Sequence, residues 1–198
     1  RLRIHLFRKR ADLEKVGHAN LREHDRRNPQ RRNADRWQHA RQRDMPQHVP
    51  RRRTCRRIFL DFLPGFQVQV TLCDTTDHEQ LEAEIAKGCD LLYLETPTNP
   101  TLKVVDIKRL AAAAHKVGAV VVVDNTFATP INQNPLKLGA DLVLHSATKF
   151  LCGHSDAMGG VLTGRKDLVE AVFRFREING ASLAPDPAYL IARAMKTL

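Results

Sequence analysis

Hydrophobic and polar positions fall into ordered patterns from about Ile58 onward and show no sustained period before it. Gln67–Cys73 (QVQVTLC) alternates polar and apolar residues, the signature of a strand with one buried face. Asp77–Ala86 reads as a helix with Asp77 as its N-cap. Asp90–Leu94 (DLLYL) is a short apolar run, and the polar loop ETPTNPT follows it. Val105–Val117 carries apolar residues at helical spacing, stopped by Gly118. Ala119–Val123 (AVVVV) is wholly apolar and β-branched, which marks a parallel strand covered on both faces. Asp141–His145 and Gly160–Thr163 read as further strands, and Lys166–Glu177 as a helix. Pro185 and Pro187 predict a break before a last helix, Ala188–Leu198. Strands alternating with helices imply an open α/β sheet with right-handed crossovers.

Charge divides the 198 residues at the same place. Of the 32 Lys+Arg and 22 Asp+Glu, residues 1–57 hold 19 and 6, a balance of +13; residues 58–198 hold the other 13 and 16, a balance of −3. The overall +10 is therefore a property of the first third and not of a uniformly basic nucleic-acid-binding domain. Stretches such as RRNPQRRNADRWQHARQRD offer too little apolar surface to offset the entropy of ordering a backbone, so residues 1–57 are expected to be a basic segment of low order. Arg clusters neutralise phosphates, but Phe7 and Trp37 are the only aromatics before Ile58 to stack on bases, which weighs against a nucleic-acid-binding arm. An abrupt change from Arg/His/Gln-rich sequence to well-patterned sequence is also what out-of-frame translation produces. No apolar run reaches the ~18–20 residues that span a bilayer, and RLRIHLFRKR has no apolar signal-peptide core. Cys55, Cys73, Cys89 and Cys152 form no C-x-x-C pair, so they read as free thiols of a cytoplasmic protein, with no metal site.

In open α/β sheets the ligand crevice lies beyond the carboxyl ends of the strands. Three predicted strands end there in polar residues: Glu95 and TPTNP, then Asp124-Asn125-Thr126, then His145-Ser146-Ala147-Thr148-Lys149. Converging, they supply carboxylates, an amide, hydroxyls and an amine. A lysine beside a low-dielectric crevice has a weakened preference for its charged form, as a Schiff-base amine requires. Asp124 at the tip of an apolar strand suits a buried cation, and the hydroxyls of Ser146 and Thr148 suit a phosphate. Together these are the needs of pyridoxal phosphate.

The segments YLETPTNPTLKVVDI, VVVDNTFATPINQNPLKLGADLVLHSATKFLCGHSDAMGGV and PAYLIARAMKTL resemble the trans-sulfuration family of pyridoxal-phosphate enzymes, over about Arg57–Leu198. The resemblance implies part of the large cofactor-binding domain of the aspartate-aminotransferase-like (type I) fold, here residues 58–198. It implies γ-replacement or γ-elimination on a homoserine ester, cystathionine or methionine; FREINGASLAP and PAYLIARAMKTL favour the cystathionine γ-synthase branch. Lys149 is then the Schiff-base lysine and the catalytic proton carrier. Asp124 pairs with the pyridine nitrogen, Ser146 and Thr148 bind the phosphate, and Thr126 sits beside the ring. Asn99 meets the cofactor's phenolic oxygen or the substrate carboxylate, on a loop supported by Glu95. His145 and His154 take structural roles, and Asp156, Gly153, Gly159 and Gly160 read as turn and close-packing features. The implied partners are an amino-acid substrate and further copies of the chain, in a homo-oligomer of the tetramer-of-dimers type, with no nucleic acid and no membrane.

The chain also departs from that family. Members are about twice as long, and residues 1–57 hold no counterpart of the Tyr and Arg that reach a neighbouring subunit's phosphate, the Ser-Gly-Met phosphate loop or the ring-stacking Tyr. The C-terminal domain with its carboxylate-binding Arg lies beyond Leu198. The rival expectation is thus a non-catalytic product, either frame-damaged or a relic domain with a basic arm. In that case one edge of the sheet is left without its partner strand.

Overall fold

The computed structural model describes residues 4–9, 63–73 and 76–198. The chain divides into two units, residues 1–8 with 69–198 and residues 9–68. In the second unit the described part includes a 3₁₀ turn, Leu63–Phe66. The expectations for residues 10–57, including the basic arm and the altered reading frame, lie outside the described residues.

Six strands form one sheet in the order β2-β1-β3-β4-β5-β6. They are β1 (Ile4–Lys9), β2 (Val68–Cys73), β3 (Leu91–Glu95), β4 (Val120–Asp124), β5 (Leu142–Ser146) and β6 (Gly160–Gly164). β3, β4 and β5 are mutually parallel, whereas β1 and β6 run antiparallel to β3 and β5. β1 pairs antiparallel with β3, Ile4 opposite Leu94 and Phe7 opposite Leu91. Leu2, Ile4 and Leu6 alternate with Arg1, Arg3 and His5, a period of two short enough to be lost in the surrounding charge.

The parallel centre forms because its residues tolerate burial on both faces. Leu92 and Leu94 of β3 and Val121 and Val123 of β4 are fully buried. α1 (His78–Ala86) is capped as expected, with the Asp77 carboxylate accepting from the Glu79 and Gln80 N–H groups. α2 (Ile107–Lys116) starts two residues later than the apolar pattern suggested. Val105 is buried but lies outside the helix, and Asp106, in extended conformation, caps it by accepting from the Arg109 N–H at 3.0 Å. Ile107, Leu110, Ala111 and Ala114, at i, i+3, i+4 and i+7, turn the buried stripe of α2 onto β3 and β4.

α3 (Thr129–Asn132) is one turn, and α4 (Lys166–Asn179) follows β6. α5 (Pro185–Ala194) corrects an expectation: Pro185 opens the helix instead of preceding it. The first turn has no intrahelical acceptor for its N–H groups, so proline costs nothing there and its fixed φ favours the helix. At the end of the sheet opposite the strands' carboxyl termini, Asp141 accepts from the Val121 N–H at 2.8 Å and pairs with His115 at 2.9 Å and Arg165 at 3.4 Å. Burial raises its carboxyl pKa, but those three partners outweigh burial and hold it below the usual range.

Candidate active site

The register of the parallel strands brings the three polar strand ends together. Glu95 lies opposite Asp124, and Asp124 opposite Leu144, two residues before Ser146. Beyond them opens a cavity of about 1040 Å³. Asn99, Asp124, Thr126, Ser146, Thr148 and Lys149, the six residues singled out from the sequence, all line it, and so does Glu95.

Asp124 is half-buried and held at both oxygens. The Tyr93 hydroxyl donates to Oδ2 at 3.1 Å, and the Thr126 backbone N–H donates to Oδ1 at 3.0 Å. Thr126 also joins the two strand ends, its Oγ1 accepting from the Ser146 N–H at 2.7 Å. Lys149 stands on the turn after β5, its N–H bonded to the Ser146 carbonyl at 3.1 Å, and its side chain is exposed in the cavity. The Thr148 hydroxyl accepts from the Gly159 N–H at 3.1 Å and donates to the Gly159 carbonyl at 3.4 Å. A phosphate bound by that hydroxyl has to compete with the longer of these bonds. Asn99 is exposed, and its N–H reaches Glu95 Oε1 at 3.4 Å, the loop support expected of Glu95.

Asn125 is the residue whose expected place differs. Its amide does not face the crevice: the side chain is fully buried and donates to the Thr129 and Gln133 carbonyls at 3.1 and 2.9 Å. The Gln133 amide donates in turn to Asn125 Oδ1 at 2.8 Å and to the Thr96 carbonyl at 2.9 Å, tying the turn after β4 to the Glu95–Asn99 loop. Residues alternate across a strand end, so with Asp124 and Thr126 toward the cavity Asn125 turns away. That alternation was the signal available for Asn125. Gln133, in a loop between Pro130 and Pro135, carried none.

The apolar part of the lining was not anticipated. Phe127 and Phe150 meet edge to face, 6.1 Å between centroids, and line the cavity with Met158 and Pro187. Asp156, expected only as a turn residue, also lines it. The Cys152 thiol donates to Asp156 Oδ1 at 3.0 Å and Arg193 to Oδ2 at 3.1 Å. The thiol bond, with help from Arg193 and His154, holds the Asp156 carboxyl below its usual range. Cys152 itself is fully buried. Neither His145 nor His154 is among the residues lining the cavity. His145 is buried, and burial lowers its pKa despite the opposing charge of Asp124. His154 Nδ1 lies 2.7 Å from the Cys152 carbonyl. Gly159 is a close-packing position as expected, since a Cβ there would come within 2.7 Å of Ile191 Cδ1.

The donor set suits pyridoxal phosphate. One wall holds a carboxylate with both oxygens fixed, and the next strand end supplies a hydroxyl and a lysine. Among the described residues the Lys149 amine has no carboxylate partner and the Ser146 hydroxyl no hydrogen-bond partner. No group of His, Cys, Asp and Glu that could hold a metal occurs among the described residues, and no helix there is long and apolar enough to cross a membrane.

Comparison with known proteins agrees with this chemistry. A family model described as Cys/Met metabolism PLP-dependent enzyme matches residues 52–198. Chloroplastic cystathionine gamma-synthase 1 of Nicotiana tabacum is 47% identical over 144 residues, 72% of this chain and 27% of the relative. The L-methionine gamma-lyase of Porphyromonas gingivalis is 47% identical over 139 residues, 69% of this chain and 35% of the relative. Among solved structures, cystathionine gamma-lyase from Lactobacillus plantarum complexed with L-serine superposes with a TM-score of 0.69 at 41% identity, covering 72% of this chain and 38% of that one. The chain thus spans about a third of the length of such relatives. The sheet is the expected part of the type I cofactor-binding domain.

Proposed function

The chain belongs to the Cys/Met metabolism family of PLP-dependent enzymes, and from that premise we propose that its cavity is the cofactor site of a trans-sulfuration enzyme. The reaction read here is γ-replacement or γ-elimination on a homoserine ester, cystathionine or methionine, with γ-replacement of the cystathionine γ-synthase type as first choice. The observation that carries the reading is the common cavity of Asp124, Ser146 and Lys149. The partners in this reading are a small amino-acid substrate and further copies of the chain.

Bound in that cavity, pyridoxal phosphate supplies an electron sink for the pair left when a proton leaves the substrate's α-carbon. Asp124, fixed by Tyr93 and Thr126, directs its charge at the pyridine nitrogen and favours a proton there. Ser146 Oγ donates to a phosphate oxygen. Thr148 Oγ1 joins it by turning its proton from the Gly159 carbonyl while still accepting from the Gly159 N–H. The Thr126 hydroxyl accepts from Ser146, so its own proton remains to donate toward the ring. Asn99 offers an amide to the cofactor's ring oxygen or the substrate carboxylate. Lys149 Nζ would hold the cofactor and, once the substrate's own amine has displaced it, would be the free base placed to take the α-proton. Phe127, Phe150 and Met158 form an apolar wall that suits the methylene and thioether portions of such substrates.

An absorbance titration tests the reading. The chain titrated with pyridoxal phosphate is expected to gain one visible-absorbing cofactor per chain, and Lys149→Ala to gain none. Addition of L-cystathionine or L-methionine is expected to change that spectrum. A wild-type chain without the band, or a variant that keeps it, contradicts the reading.

A further inference from the structure

Tyr93 has a place at the site that the resemblance does not supply. It lies mid-strand on β3, is 8% exposed, and shares a strand face with Glu95 two residues on. A buried phenol needs a partner for its hydroxyl. Tyr93 finds it across the β3–β4 ladder, in Asp124. The two donors to Asp124 come from separate segments, a side chain on β3 and the backbone of the turn after β4, and each takes a different oxygen. A carboxylate held by one donor can still rotate about its last bond, whereas one held at both oxygens cannot rotate without breaking a charge-assisted hydrogen bond.

We propose that Tyr93 is a positioning residue for the cofactor ring: its hydroxyl, paired with the Thr126 N–H, locks the plane of the Asp124 carboxylate so that it meets the ring nitrogen. The proposal rests on the pyridoxal-phosphate reading of the cavity. The phenol touches neither cofactor nor substrate in this account and acts only through Asp124.

Tyr93→Phe keeps the packed ring and removes the hydroxyl. The expected result is pyridoxal phosphate binding weakened roughly tenfold, ~1.4 kcal/mol, with the ¹⁵N resonance of ring-labelled cofactor moving toward that of an unprotonated pyridine. In an Asp124→Asn background the same change is expected to have no further effect on affinity. A tenfold loss that persists in that background, or an unmoved ¹⁵N resonance, assigns Tyr93 a merely structural role and overturns the proposal. Should Tyr93→Phe fail to fold, the Tyr189→Phe chain labelled with 3-fluorotyrosine leaves Tyr93 as the single ¹⁹F reporter. Its signal is expected to shift on cofactor addition, and an unmoved signal overturns the proposal. A wild-type chain that takes up no pyridoxal phosphate overturns the cofactor reading and this inference with it; binding by the wild type with an unchanged Tyr93→Phe overturns the inference alone.

Discussion

Thr126 Oγ1 accepts the Ser146 backbone N–H at 2.7 Å, so the strand end bearing Asp124 is bonded to the strand end that leads into Lys149. Thr126→Val keeps the side chain's shape and strands that part-buried N–H. A loss of about 1–3 kcal/mol in urea denaturation is expected, with weaker pyridoxal phosphate binding in absorbance titration. Thr126→Ser, which restores the acceptor, is expected to recover most of both.

Asn125 and Gln133 make a second prediction because the buried amide of the one and the half-buried amide of the other satisfy each other and three backbone carbonyls. Asn125→Ala leaves those groups unpaired, at a cost of about 1–3 kcal/mol. Asn125→Asp has nearly the same shape but aims a carboxylate at the Thr129 and Gln133 carbonyls. It is expected to be the more damaging at neutral pH, by roughly 3 kcal/mol or more. Chemical denaturation of the two variants reads the order directly, and equal stabilities would refute the network's role.

The reach of the sequence follows from the range of each interaction. Lys149, Asp124 and Ser146 were legible because each closes or follows an apolar strand, and strand ends in such sheets face one crevice. The Asp77 cap was legible because it acts within three residues. Asp106 was not, because apolar Val105 before it extends the helical pattern by two positions while packing outside the helix. The Tyr93–Asp124 bond joins residues 31 apart, and only the β3–β4 register brings them together. Asp156 reaches the cavity because Arg193, 37 residues on, and Cys152 hold it there, a pairing that no local spacing announces.

Gly164 gives a steric prediction. Its φ is +147°, and an added Cβ would lie 2.1 Å from the Asp141 carbonyl oxygen, a backbone atom with no freedom to swing aside. Gly164→Ala is therefore expected to lose roughly 3 kcal/mol or more. Gly118→Ala, at φ +79° but with open space around the new methyl, is expected to lose only about 1 kcal/mol of backbone strain. Thermal melts of the two variants separate steric clash from strain.

The pH dependence of stability carries a sign set by His145. Burial lowers its folded pKa below the ordinary value of about 6.5, so the folded state resists a proton that the unfolded chain accepts. Its part of the stability is complete above that ordinary value and is lost as pH falls through the lower folded value. Asp141, also depressed, adds a loss at more acid pH, through its own folded pKa. Denaturation between pH 7 and 5 is expected to show a falling stability that His145→Gln flattens; an unchanged slope in the variant would assign the effect elsewhere.

Covalent trapping addresses the claim on which the functional account depends, that Lys149 is where the cofactor is held. The chain is incubated with pyridoxal phosphate, reduced with borohydride, digested and mapped by mass. The account predicts the reduced cofactor on the peptide containing Lys149, at one per chain, and a lower yield on that same peptide when Asp124→Asn weakens binding. Attachment spread over surface lysines, or fixed on a lysine other than Lys149, contradicts it.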